Sequence, residues 1–239
     1  MAKFEANYSR FRPDSLLTRL NRAKRLEKPP AELLRMLTIA CEYYELSEGY
    51  FNIATETHQR AQGYDAAYSF VDDPRLQPVT LGIDDALHFD EQGVLLDSRV
   101  TLDLGGLGKG FLIDKLAAEF WRKFNLRYFV INGGGDIYAT SNQGRPIELH
   151  LVSSHDRQWH GKVSVTNRAL CASSPKLRSW GRRTHIINPL TPDVIPTRSS
   201  FVLARSAVEA DILATVATLV PAEKFAHLVQ DRAVDFKII

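Results

Sequence analysis

Apolar residues recur at helical spacing in some stretches and gather into short continuous runs in others, so the chain mixes helices with strands. Leu33, Leu34, Leu37, Ala40, Cys41 and Tyr44 predict an amphipathic helix over residues 31–47, ended by Gly49. A shorter helix runs through Leu16, Leu17, Leu20 and Asn21, capped by Asp14 or Ser15. Phe4 and Tyr8, four residues apart, mark residues 1–8 as the last turns of another. Pro13 breaks residues 9–13, Lys28-Pro29-Pro30 forms a loop, and residues 51–55 turn into a further short helix. Residues 71–88 read as irregular with edge strands. Residues 93–96 and 100–104 predict a hairpin turning at Asp97-Ser98. A helix over 111–124 and a strand over 128–132 follow. Strands are then expected over 147–153, 161–165, 168–173, 184–187 and 200–204, helices over 207–219 and 222–228, and a closing strand over 233–238. With no repeat, low-complexity run or linker, one interwoven domain of mixed α/β (α+β) class over residues 1–239 is the simplest account.

The stretch from Val100 to Ile137 organises this pattern. One apolar run ends in Gly105-Gly106, Leu107-Gly108-Lys109-Gly110 opens the helix, and the next strand ends in Gly133-Gly134-Gly135-Asp136. Glycines let backbone N–H groups approach a ligand, and a helix N-terminus carries partial positive charge. Lys109 adds a full charge there, which suits a phosphorylated ligand such as a nucleotide. The spacing matches neither the phosphate-loop nor the dinucleotide fingerprint. Two tight turns in an α/β unit fit the glycines equally well.

Composition changes this picture little. At 239 residues the chain has room for one large domain or two small ones. A net charge of +2 gives no argument for nucleic acid or a membrane surface. The two cysteines, Cys41 and Cys171, are too few for a disulfide framework, and Cys41 reads as core filler. The sequence holds no secretory or lipoprotein signal and no apolar run of spanning length.

Asp211 and Thr215, four apart, place a carboxylate and a hydroxyl on one helix face, a pair that suits Mg²⁺. The alternative is a solvated first-turn acid and a filler threonine, although the flanking apolar residues leave little exposed face. His185, beside the Asn188-Pro189 turn, is either a general base or an ordinary packed histidine. Ser173 and Ser174 end a strand and could bond phosphate, without a nucleophile-elbow pattern.

Four segments in order, DLGGLGKGFLID (103–114), INGGGDI (131–137), THIINP (184–189) and EADILAT (209–215), resemble the FAD:protein FMN transferases, the ApbE-type flavin transferases. The segment from Ser9 to Asn21 is similar to that family's N-terminal part, so the likeness covers nearly the whole chain. The resemblance implies a fold of mixed sheets and flanking helices around a central flavin cleft. It implies Mg²⁺-dependent transfer of FMN from FAD to a Thr or Ser hydroxyl of an acceptor flavoprotein, with release of AMP. An FAD pyrophosphatase and a non-catalytic FAD-binding protein are the alternatives. By the same resemblance Lys109 holds the pyrophosphate, and Gly106, Gly110, Asp114, Gly134, Gly135, Asp136, Ser173 and Ser174 line the FAD site. Asp211, Thr215 and the Gly108 carbonyl hold Mg²⁺, and His185 takes the proton of the incoming hydroxyl. The partners implied are FAD and the acceptor protein, with no nucleic acid and no integral membrane segment. The compartment expected is cytoplasmic as the chain stands, or periplasmic if a signal was removed. Departures from the family pattern are Gly108 for Ala, Leu16 for Glu, Asn52 and Asn188 for Asp, and Pro192 for Gly. Relatives also begin some tens of residues earlier, so the resemblance implies that a strand and part of the first helix are missing here, weakening flavin binding.

Overall fold

The computed structural model describes residues 2–141, 145–153 and 157–239. In chain order come α1 (Ala2–Tyr8), α2 (Leu16–Ala23), β1 (Arg25–Glu27), α3 (Ala31–Leu46), α4 (Glu56–Ala61), α5 (Ile83–Ala86), β2 (Leu87–Phe89) and β3 (Gly93–Leu96). They are followed by α6 (Gly105–Phe124), β4 (Phe129–Asn132), β5 (Ile137–Thr140), β6 (Ile147–Val152), β7 (Trp159–Val165) and β8 (Arg168–Ser173). The short pair β9 (Ser179–Trp180) and β10 (Arg183–Thr184), then β11 (Ser200–Ala204), α7 (Ala207–Leu219), α8 (Ala222–Leu228) and β12 (Asp235–Ile238), complete the chain. Helices and several sheets make it a mixed α+β protein. The chain forms two compact units, residues 1–106 with 179–196, and residues 107–178 with 197–239.

In the first unit, the apolar stripe of α3 is buried through Leu33, Met36, Leu37 and Ala40. Ser15 caps α2, accepting the Thr18 N–H at 3.0 Å. A three-stranded antiparallel sheet has the order β1-β3-β2. The expected 93–96/100–104 hairpin does not form. β3 pairs instead with β1 and β2, and residues 100–104 lie outside any strand, mostly buried and held largely by side chains. Asn21 donates to the Leu102 carbonyl at 2.9 Å and accepts the Leu102 N–H at 2.8 Å, while Lys24 Nζ donates to the Val100 carbonyl at 2.6 Å. These bonds satisfy the peptides that a strand partner would otherwise take. The strand expected over 184–187 is reduced to Arg183–Thr184, paired with Ser179–Trp180.

The second unit is built on a five-stranded antiparallel sheet of order β12-β11-β8-β5-β4. Side chains alternate across it. Ala139, Leu170, Phe201 and Leu203 meet Leu151 and Val165 of the β6–β7 hairpin in one core. On the other face α7 packs against β8 and β11. There Ser200 Oγ donates to the Ala214 carbonyl at 2.7 Å and Cys171 Sγ to the Ala207 carbonyl at 3.6 Å. Ten of the thirteen α7 residues are buried, which accounts for its nearly uniform apolar sequence.

Helix α6 starts at Gly105 rather than near Phe111, so Leu107-Gly108-Lys109-Gly110 is helix and not the turn before one. Asp103 accepts the Gly105 N–H at 2.8 Å and so begins the helix early. Four glycines in the first two turns oppose helix formation by about 1 kcal/mol each relative to alanine, so packing must select them. Gly110 shows how: a Cβ there would lie 2.3 Å from the Ala207 carbonyl oxygen.

Candidate functional site

Lys109 of α6, Asp136 just before β5, and Asp211 of α7 converge in the second unit. The Lys109 ammonium pairs with Asp136 Oδ2 and lies 3.5 Å from Asp211 Oδ1. Asp136 and Asp211 are 2% and 6% exposed, whereas 53% of the Lys109 side chain is open to solvent. Gly110 N–H donates to Asp211 Oδ2 at 3.0 Å, and Ala172 N–H to Asp136 Oδ1 at 3.4 Å. Desolvation works against the Lys109 charge, but the Asp211 and Asp136 carboxylates outweigh it and hold the ammonium well above its ordinary pKa. Burial pushes the Asp211 carboxyl up against the pull of Lys109, with Asp136 adding to the rise. Burial likewise lifts the Cys171 thiol, with Asp136 and Asp211 adding to it, so Cys171 stays protonated beside the cluster.

The second glycine cluster is a closed turn. Gly133 N–H donates to the Asp136 carbonyl at 2.8 Å, and Gly134 and Gly135 N–H donate to Asn132 Oδ1 at 3.0 and 2.9 Å. Its amides are therefore engaged within the hairpin rather than free for a ligand. What glycine supplies here is positive φ at Gly134 and Gly135 (86° and 110°) and open space, with no atom within 4 Å of an added Cβ. Asn132, the residue that closes the turn, was not among the residues singled out from sequence; an Asn two before a glycine pair is a recognisable turn signal.

The remaining predicted residues divide. Gly110 sits in the cluster, and Gly108 is buried one residue before Lys109 inside α6. The Thr215 hydroxyl donates back to the Asp211 carbonyl at 3.4 Å, not to its carboxylate. Both Asp114 oxygens accept backbone N–H groups, Ala207 at 2.7 Å and Val208 at 2.9 Å. Ser173 pairs with Ser200 at the end of β8, and Ser174 accepts the Ser199 hydroxyl at 2.7 Å.

Gly106 and His185 belong to the first unit. A Cβ on Gly106 would lie 3.1 Å from the Phe51 ring. The His185 ring sits edge-on to Tyr64, centroids 6.1 Å apart, and its carbonyl accepts from Gln59 Nε2 at 3.0 Å. Tyr64 stacks in turn on Trp180 at 5.8 Å. A buried arginine that the sequence did not single out lies in this unit too. Arg10 Nε donates to Asp103 Oδ2 at 3.1 Å and Nη1 to the Tyr64 carbonyl at 3.0 Å, with Glu56 Oε1 3.6 Å away. The departure at Asn52 has a local reason: its amide donates to the Leu81 carbonyl at 2.9 Å, which an aspartate could not do, and accepts the Ala54 N–H at 2.8 Å. Among the described residues there is no group of three or more His, Cys, Asp or Glu side chains placed to hold a metal, and no helix long and apolar enough to cross a membrane.

An antiparallel sheet backed by a buried helix, with Lys109 between two buried carboxylates, defines an α+β protein with a charged centre in its second unit. It belongs to the ApbE family, whose model matches residues 1–238. Solved structures share the fold. A flavin transferase ApbE from Vibrio cholerae is 20% identical with a TM-score of 0.78, covering 100% of this chain and 81% of that one. A flavinyl transferase ApbE from Pseudomonas stutzeri, in apo form, is 16% identical with a TM-score of 0.79, covering 98% and 78%. An ApbE protein from Thermotoga maritima is 20% identical with a TM-score of 0.80, covering 97% and 79%. Comparison with curated proteins finds no match.

Proposed function

We propose that the protein transfers FMN from FAD to a Thr or Ser hydroxyl of an acceptor flavoprotein, releasing AMP in a Mg²⁺-dependent reaction, with residues 1–239 working as one transferase domain. Membership of the ApbE family supports this, as do similar folds named flavin or flavinyl transferases. The observation that carries the reading is the Lys109 ammonium, on a side chain half open to solvent and fixed beside Asp136 and Asp211. A cation so held can meet a pyrophosphate without losing its orientation.

The excess of carboxylate charge around Asp211 favours a divalent cation such as Mg²⁺. Asp136 and Asp211 bring two buried carboxylates to one ammonium, so the ionised cluster carries an excess negative charge that burial penalises. Asp211, the Thr215 hydroxyl and the Gly108 carbonyl are hard oxygen donors, and Mg²⁺ usually takes few protein ligands and keeps waters. When bound, the ion supplies charge neutralisation at the phosphates. Lys109 binds and orients the pyrophosphate, and Gly134 and Gly135 leave room beside it. The acceptor oxygen forms a bond to the FMN phosphorus, the bond from that phosphorus to the bridging oxygen breaks, and AMP leaves with the electron pair. His185, assigned from its motif, takes the hydroxyl proton.

The test is incubation with FAD, Mg²⁺ and a candidate acceptor, following AMP and in-gel flavin fluorescence of the acceptor. Fluorescent acceptor with equimolar AMP is expected. AMP with only free FMN would identify a pyrophosphatase instead, and flavin binding without AMP a binding protein.

A further inference from the structure

We propose that Asp114, which the resemblance implies for the FAD site, is instead a positioning residue that sets Asp211 by gripping the first turn of α7 and touches neither flavin nor metal. The proposal rests on the reading of Lys109, Asp136 and Asp211 as the phosphate and metal centre.

The two helices hold each other by reciprocal contacts one turn apart. Gly110 and Asp114 are four residues apart on α6, and Ala207 and Asp211 are four apart on α7, so each pair shares a helix face. The α6 backbone gives the Gly110 N–H to the Asp211 carboxylate at 3.0 Å. The α7 backbone gives the Ala207 and Val208 N–H groups to the Asp114 carboxylate at 2.7 and 2.9 Å. Each helix thus contributes a carboxylate to amides of the other, and one bond pair fixes where the other lies. The absence of a side chain at Gly110 brings the two backbones close enough for both.

Each oxygen of Asp114 is already engaged by α7. Both oxygens accept short, charge-assisted bonds from a helix N-terminus, where negative charge is favoured. The rest of that terminus is also closed: Glu209 N–H donates to Ser206 Oγ at 3.3 Å and Ala210 N–H to the Ser206 carbonyl at 3.1 Å. The Ala207, Val208 and Glu209 amides, which a helix start leaves without intrahelical partners, are thus taken by protein groups, and Ala210 makes the first regular helical bond. Removing the Asp114 charge loosens the first turn of α7, and Asp211 lies one turn further along.

Three readouts separate positioning from ligand contact: hydrogen exchange of the Ala207 and Val208 amides, the Kd of the protein for Mn²⁺ alone by electron paramagnetic resonance, and the Kd for FAD in EDTA by flavin fluorescence. In Asp114→Asn the two amides should exchange faster, and the Mn²⁺ Kd should rise about tenfold, the usual effect of losing a partner behind a metal ligand. FAD affinity in EDTA should stay within about twofold, because no ground-state contact is lost. Asp114→Glu keeps a carboxylate and should recover most of both losses; if the Asn variant does not fold, the Glu variant carries the test, with exchange and Mn²⁺ affinity shifting together. A fall in metal-free FAD affinity as large as that in Lys109→Ala would make Asp114 a ligand contact and overturn the proposal. So would faster exchange with unaltered Mn²⁺ affinity. A wild-type protein that binds no Mn²⁺ would instead overturn the metal reading; unchanged protection of Ala207 and Val208 in Asp114→Asn would then still overturn the gripping role.

Discussion

Gly110 and Ala207 lie so close that a β-carbon on the glycine would stand 2.3 Å from the alanine carbonyl oxygen and 2.6 Å from its carbonyl carbon. Those are backbone atoms of α7 and cannot rotate away. Gly110→Ala should therefore push the helices apart and destabilise the fold by about 3 kcal/mol, at the upper end of overpacking costs. Urea unfolding measures this. Gly135→Ala meets no neighbour and should cost only the strain of a positive φ, about 1 kcal/mol. Equal losses in the two variants would contradict the close approach.

Lys109→Met leaves the Asp136 and Asp211 carboxylates facing each other without their cation. Removing one partner of a fully buried pair costs about 3–5 kcal/mol; the half-exposed lysine and screening by water reduce the expected loss to about 1–2 kcal/mol. AMP release from FAD should fall at least about a hundredfold, as for loss of a charged transition-state donor. Denaturant titration and an AMP assay on the same preparation test both statements.

Asn132→Ala removes the acceptor shared by the Gly134 and Gly135 amides. Water replaces it in this exposed turn, so stability should change by less than about 1 kcal/mol. The turn that presents Asp136 loses its fixed shape, and FAD affinity should fall severalfold in a fluorescence titration. Asn132→Asp keeps an acceptor oxygen and should behave nearly as wild type.

His58 is buried, with its Nε2 2.8 Å from the Thr80 hydroxyl. Burial holds its pKa below the ordinary 6.5, against the smaller opposing influence of Asp193 and the Val79 backbone. Between the native value and 6.5 the unfolded chain binds more protons than the folded one, so stability rises with pH across that window. The His58 contribution is complete above 6.5 and is lost as pH falls towards the native value. Thermal midpoints from pH 5 to 8 should show this slope in wild type and a shallower one in His58→Gln.

Much of the architecture was legible because local pattern and tertiary role agreed. The helices at 207–219 and 222–228 begin and end where their apolar runs place them. The strand at 168–173 likewise matches its run. What failed was decided by distant partners. Residues 100–104 have strand composition, but Asn21, 81 positions away from Leu102, takes the peptide bonds that a strand partner would have used. The early start of α6 depends on packing that overrides the helix-breaking tendency of glycine, and β5 follows the glycine turn in a run too short and mixed to register. At the site, Lys109, Asp136 and Asp211 were legible as chemistry, and their convergence is a tertiary fact. The bonds of Asp114 to α7 were not legible, because a carboxylate that serves a helix end 93 residues later leaves no mark in its own neighbourhood.

The two bonds between Asn21 and Leu102 make one side-chain amide do the work of a missing rung in a β-ladder. Only a group that gives a proton on one side and takes one on the other can fill that post. A carboxylate in its place would face the Leu102 oxygen with like charge, and an aliphatic chain would strand both peptide groups. The path of the segment leading into the lysine helix thus hangs on the chemical two-sidedness of a single residue in α2.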